Sequence, residues 1–202
     1  MKKLSILMTM FAVLALASCN KDDGNNGDDN PPVVKKGILV NEVMTKDTVG
    51  LVYIDAQGDA SDWAEFYNDD DKDVNLAGYY LSDKGESADD ADKWEIPTGS
   101  DAVTTVGPGK YLVIVFGAAD ASGNDLDGII NDTIFCPSGL SSKKDEAVAL
   151  FDASKKFVTA SEIFTADGPL GKLDDGKSLG RKTDGDSEWK IFDIATPGTE
   201  NK

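Results

Sequence analysis

The chain has 202 residues, with 20 Lys plus Arg against 37 Asp plus Glu and a formal net charge of −17. Such an acidic chain repels phosphate backbones and bare anionic membrane, so no nucleic-acid partner is expected. Histidine is absent. That removes Ser-His-Asp and Cys-His catalysis and the commonest transition-metal ligand, and any metal site must be built of oxygens, which suits calcium or magnesium.

The first stretch is a leader by composition. Lys2 and Lys3 precede an apolar run from Ile6 to Ala17, too short for a bilayer span of roughly 20 residues but sized for a secretory signal. It ends in Leu16-Ala17-Ser18-Cys19. These four residues resemble the lipobox of bacterial lipoproteins, in which the chain is cut before the cysteine and its thiol is acylated. The resemblance implies a signal peptide over 1–18, a lipidated Cys19 and attachment to the outer membrane through the N-terminal lipid. Residues 19–36 then read as a tether: Asn20 to Asn30 carry no apolar side chain and cannot be ordered by burial, and Pro31-Pro32 stiffens the end. Lys21-Asp22-Asp23 resembles the acidic export signal that sends lipoproteins of one bacterial group to the cell surface. With Cys19 used, Cys136 has no internal disulfide partner, and its neighbours Ile134-Phe135 predict a buried, inert thiol.

From Gly37 onward short β-rich runs recur. They are Ile38 to Val43, Leu51 to Ile54, Trp63 to Tyr67, Tyr79 to Leu81, Lys93 to Ile96, Ala102 to Val106, Tyr111 to Phe116, Thr133 to Cys136, Ala147 to Phe151 and Phe157 to Phe164. Turn clusters such as Asp69-Asp70-Asp71 and Gly107-Pro108-Gly109 separate them. No segment sustains a helical period; Glu86 to Asp92 has room for one turn, and Ala118 to Asp127 reads as a loop. The expectation is an all-β sandwich or barrel over 37–202.

The order of motifs adds a family. Ile38-Leu39-Val40-Asn41-Glu42-Val43-Met44, Asp62-Trp63-Ala64-Glu65-Phe66-Tyr67-Asn68 and Val74-Asn75-Leu76-Ala77-Gly78-Tyr79-Tyr80-Leu81-Ser82-Asp83 stand in sequence, followed by Lys93-Trp94-Glu95-Ile96-Pro97, Glu146-Ala147-Val148-Ala149-Leu150-Phe151-Asp152 and Ser178-Leu179-Gly180-Arg181. This collinear set resembles the lamin-tail domain, and the resemblance runs from Gly37 to about Asn201. It implies an immunoglobulin-like β-sandwich that serves binding rather than catalysis. The stretches Thr45 to Ser61, Gly117 to Asp132 and Phe164 to Gly176 are long, and are where a site particular to this chain is expected.

Three groups of residues invite a role. In the second motif, alternation puts Trp63, Glu65 and Tyr67 on one face and Ala64 and Phe66 on the other, with the latter pair inward. The single arginine, Arg181, stands against 19 lysines, and its planar fork suits a carboxylate; it is expected to pair with Glu65 or Glu42 and tie the last strand to the first ones. An acid–base role for Glu42 and Glu65 would need a cleft that nothing in the sequence supplies, so no catalytic residue is assigned. Asp120, Ser122 and Asn124 place oxygens at alternate positions and are candidates for one structural calcium, although the loop lacks the glycine and glutamate of an EF-hand. Tyr79 and Tyr80 should point to opposite faces.

The function expected is therefore a non-catalytic, lipid-anchored envelope protein that displays a lamin-tail module to a protein or glycan partner. The alternatives are an accessory subunit of an extracellular nuclease or phosphoesterase acting in trans, and a purely structural envelope protein.

Overall fold

A computed structural model describes residues 37–141, 146–165 and 168–202. The expected signal peptide (1–18), Cys19 and the expected tether (19–36) lie outside the described residues.

The strands in chain order are β1 (Ile38–Met44), β2 (Asp62–Asn68), β3 (Val74–Asn75), β4 (Tyr80–Ser82), β5 (Trp94–Glu95), β6 (Thr105–Val106), β7 (Tyr111–Phe116), β8 (Gly128–Ile130), β9 (Thr133–Cys136), β10 (Ala149–Phe151), β11 (Phe157–Ala160), β12 (Ser178–Arg181) and β13 (Trp189–Phe192). They form a seven-stranded sheet in the order β13-β12-β1-β2-β7-β9-β8 and a four-stranded sheet in the order β11-β10-β4-β5, with β3 and β6 as a separate pair. Only β7 and β9 run parallel; the other pairs of the large sheet are antiparallel.

The two sheets face each other across one apolar core. Ile38, Val40, Val43, Ala64, Phe66, Ile114, Phe116 and Leu179 point into it from the large sheet, and Leu81, Val148 and Leu150 answer from the small sheet side. The alternation read for the second motif holds. Ala64 and Phe66 are in this core, while Trp63 packs with Met44 and Ala195 on the opposite, outer face.

That outer face is not bare. The insertion between β1 and β2 folds over one part of it. Its Val52 packs against both outer apolar clusters, and its Tyr53 meets the edge of Phe135 with ring centroids 4.9 Å apart. The C-terminal segment after β13 folds over another part, with Ala195 against Met44 and Trp63.

Several expected strands are corrected. Leu51 to Ile54 forms no strand, only an isolated bridge from Ile54 to Ala60. The buried Asp47 carboxylate takes the N–H groups of Val49, Gly50 and Leu51 at 2.5–2.9 Å, so the loop's donors are spent locally. Ala102 to Val106 is strand only over its last two residues. Asp101–Thr104 is one helical turn, with Val103 N–H donating to Ser100 O at 2.9 Å. Thr104 is turned so that its hydroxyl reaches Asn75 Oδ1 at 2.7 Å, and this tertiary contact outweighs β-propensity. Two 3-10 turns, Gly85–Ser87 and Asp90–Asp92, occupy the expected helical turn. β8 lies inside the expected loop Gly117 to Asp132. It joins β9 through Asn131 and Asp132, both at positive φ (49° and 62°), as a two-residue hairpin requires.

Phe66 is fully buried at the centre of the core. Phe66→Ala should cost about 3–5 kcal/mol through lost burial and the cavity left behind, read as a lowered midpoint in chemical denaturation.

Candidate functional site: buried carboxylates on the outer face

The site begins with an irregularity in β1. The pairing of β1 with β2 slips between Val40 and Glu42, so Asn41 is an extra residue. Strict alternation would send Glu42 to the same side as Val40, into the core. The bulge instead turns both Asn41 and Glu42 outward and returns Val43 to the core.

Glu42 is thereby set directly across from Glu65, and both are fully buried. Carboxylates opposite each other on one sheet face have Cβ atoms roughly 5 Å apart and repel when both are ionised. A third carboxylate, Asp184, comes from the turn between β12 and β13. Asn41 Nδ2 clamps the last two, donating to Glu65 Oε1 and Asp184 Oδ1 at 2.9 Å each. Its own Oδ1 is buried without a partner. Tyr111, from β7, donates its hydroxyl to Asp184.

The remaining oxygens accept from neutral groups. Ser178 Oγ donates to Glu42. Thr196 gives Glu42 its N–H at 3.1–3.2 Å and its hydroxyl at 3.0 Å. Gly198 N–H donates to Glu65 Oε2 at 2.6 Å. Asn201, buried, donates N–H to Asp184 at 3.2 Å and Nδ2 to Arg181 O at 2.8 Å. Gly180 makes the space. A Cβ there would meet Phe192 at 2.9 Å, Glu42 Cγ at 3.1 Å and Asn201 Nδ2 at 3.2 Å.

Among the described residues no lysine or arginine forms an ion pair with Glu42, Glu65 or Asp184. Burial therefore dominates. Loss of water pushes Glu65 up to about 8, against the lowering effect of Asn41 and Gly198 and with Glu42 and Asp184 adding repulsion. Glu42 is raised by the same cause despite its donors Ser178 and Thr196.

The expected pairing of Arg181 with Glu65 or Glu42 is not what the structure forms. On β12, Ser178 and Gly180 share the outer face with Glu42, so Arg181 shares the inner face with Leu179. Its Nε donates to Val40 O at 2.8 Å, its Nη1 donates to Asp186 O, and its guanidinium lies 4.8 Å from the centre of the Trp189 ring. It still ties β12 to β1, through the Val40 carbonyl, and holds β13 through the Trp189 ring.

The calcium candidates form a self-contained turn. Asp120 Oδ1 accepts N–H from Ser122 at 2.8 Å and from Asn124 at 2.9 Å, and these donors lower its pKa. Among the described residues no group of three or more His, Cys, Asp or Glu is arranged to hold a metal ion. Cys136 is buried and unpaired by disulfide, its thiol pushed up to about 12 by burial. Tyr79 packs on the core while Tyr80 points out to Glu95 at 3.1 Å, on opposite faces as alternation requires.

The family model of the lamin tail domain matches residues 33–164. The chain belongs to the lamin tail domain family. Comparison with curated proteins gave no match. The lamin tail domain is an immunoglobulin-like binding or structural module, and the two packed sheets described above are that sandwich. The match contains Glu42 and Glu65 but ends before β12, β13 and the C-terminal segment, which supply Ser178, Asp184, Thr196, Gly198 and Asn201. The cluster is thus completed by chain beyond the matched part of the lamin tail domain.

Two outcomes follow. Because Glu65 is raised in the folded state, the native chain binds a proton that the unfolded chain releases above about pH 4.5. Its stabilising contribution is complete below that point and is lost as pH rises to about 8; Asp62, raised by burial to about 7, acts in the same direction. Glu65→Gln should flatten part of the fall in Tm between pH 5 and 8, measured by calorimetry against the parent. Arg181→Ala and Glu65→Gln should be additive within about 0.5 kcal/mol in a double-mutant cycle, since the two groups lie on opposite faces.

Proposed function

We propose that this chain is a non-catalytic display protein: an envelope lipoprotein, moored through Cys19, that presents its lamin-tail sandwich to a protein partner. The lipobox-like Leu16-Ala17-Ser18-Cys19 and the polar stretch behind it support the mooring and the reach.

The observation that carries the display reading is the insertion between β1 and β2. Its base is held by the Asp47 carboxylate, Val52 and Tyr53, while Val49, Leu51 and Ile54 are 70 %, 47 % and 55 % exposed. Apolar side chains held outward on a braced loop are the chemistry of a protein contact. They offer no aromatic plate for a sugar ring, which favours a protein over a glycan.

The acid–base alternative has its two carboxylates in the wrong setting. Glu42 and Glu65 are fully buried beneath the chain's own C-terminal segment, with oxygens engaged by Ser178, Thr196, Asn41 and Gly198. The pair has no open face for a substrate in this arrangement.

Intact-mass spectrometry of protein purified from its native host should find the leader removed and a diacylglycerol thioether on Cys19. Cys19→Ser should leave the leader uncut. An intact leader or a bare thiol on the parent protein would refute the mooring. Protease treatment of whole cells should digest the domain, and full protection would refute surface display.

A further inference from the structure

We propose that the C-terminal segment from Ile194 to Lys202 is a proton-dependent strap. It stays docked on the outer face of the large sheet while the Glu42–Glu65 pair beside Asp184 holds a proton, and it lifts when both glutamates are ionised.

The strap's grip is polar rather than apolar. It has no regular secondary structure, and Ala195 is its one buried hydrophobic side chain; Ile194 is 79 % exposed. What holds it are donors aimed at the cluster: Thr196 onto Glu42, Gly198 onto Glu65 and Asn201 onto Asp184. Thr196 Oγ1 lies 3.0 Å from both Glu42 Oε2 and Asn201 Oδ1, so its one hydroxyl proton is shared between the cluster and the strap's far end. Whatever changes the cluster's charge therefore acts on most of what fixes the strap.

β1 brings Glu42, β2 brings Glu65 and Tyr67, and β7 brings Tyr111. The β12–β13 turn brings Asp184, and the strap itself adds Glu200, which faces Tyr67 together with Asp69. The strap's own cation, Lys202, meets Glu200 at 3.7 Å, and Lys190 of β13 meets the Lys202 carbonyl at 3.1 Å; neither forms an ion pair with Glu42, Glu65 or Asp184. Among the described residues, the cluster itself is thus offset by no ion pair.

Two effects oppose each other here. N–H donors favour an ionised acceptor, which would tighten the strap on deprotonation. Burial disfavours ionisation and repulsion between neighbouring carboxylates disfavours it again; together these outweigh the donors at both glutamates. One ionised glutamate suits the donors available, whereas two facing each other under a closed strap do not. Lifting the strap returns water to Glu42 and Glu65 and relieves both penalties. This device does not depend on where the chain is moored.

Amide hydrogen exchange on the full chain tests it, with rates corrected for the chemical pH dependence. Protection of Thr196 and Gly198 should fall about tenfold per pH unit between pH 5 and 7, as one linked proton requires, and level off above pH 8. The β10–β11 hairpin, which touches none of these carboxylates, should show no such slope in its local opening. In the double variant Glu42→Gln, Glu65→Gln the strap should remain protected across the range. Strap protection independent of pH in the parent, or the same slope in the double variant, would overturn the proposal. Should the variant fail to fold, carboxyl-carbon NMR of the parent decides: a glutamate titrating above pH 6 upholds the strap, and all glutamates titrating below it overturns it.

Discussion

The bulge at Asn41 is the constraint on which the outer face depends. In an unbroken strand Val40 and Glu42 would share a side, and a carboxylate would be turned toward the apolar core. Moving an unpaired carboxylate into such a core costs several kcal/mol. One extra residue avoids this and has a second effect, since it sets Glu42 against Glu65 on the same outer face. The buried acidic cluster is the consequence of keeping the core dry.

A buried carboxylate pair needs compensation, and an arginine is the usual answer. Here the single arginine is on the wrong side of its strand, and parity forbids the pairing. Neutral donors from four places take its role: the Asn41 amide, the Ser178 hydroxyl, the Tyr111 phenol and the N–H groups of the C-terminal segment. Such donors satisfy oxygens but do not cancel charge, so the glutamates keep their protons to unusually high pH. Gly180 belongs to the same solution, because a Cβ there would press into the Phe192 ring and crowd Glu42 and Asn201.

The outer face is finished by irregular chain rather than by a second sheet. The insertion after β1 seals Trp63, Val115 and Phe135 with Val52 and Tyr53, and the C-terminal segment seals the carboxylates. The two coverings differ in kind. The insertion is anchored by aromatic and aliphatic contacts and by a carboxylate that organises its own loop; the C-terminal segment is anchored by hydrogen bonds to acids.

Much of the fold was legible in the chain itself. Period-2 alternation in Asp62 to Asn68 assigned Ala64 and Phe66 to the core and Trp63 and Glu65 to the outer face, because side-chain direction in a strand is a local property. The missed elements were those settled at a distance. Asn131-Asp132 carries the mark of a two-residue hairpin, but the strands around it are short enough to pass for loop. Ala102 to Thr104 has strand-forming residues, yet a contact with Asn75 winds it into a turn. Leu51 to Ile54 has the same propensity, yet Asp47 holds its backbone donors.

Composition alone settled that histidine chemistry is excluded, and the motif order alone pointed to the lamin-tail sandwich, because both are properties of residue type and sequence spacing. Only the tertiary structure decided that Glu42 and Glu65 meet, that Arg181 does not reach them, and that residues from beyond position 193 close over both. A bulge, a strand's parity and a chain end brought back across more than 130 residues leave no local trace, since each is fixed by what packs against it.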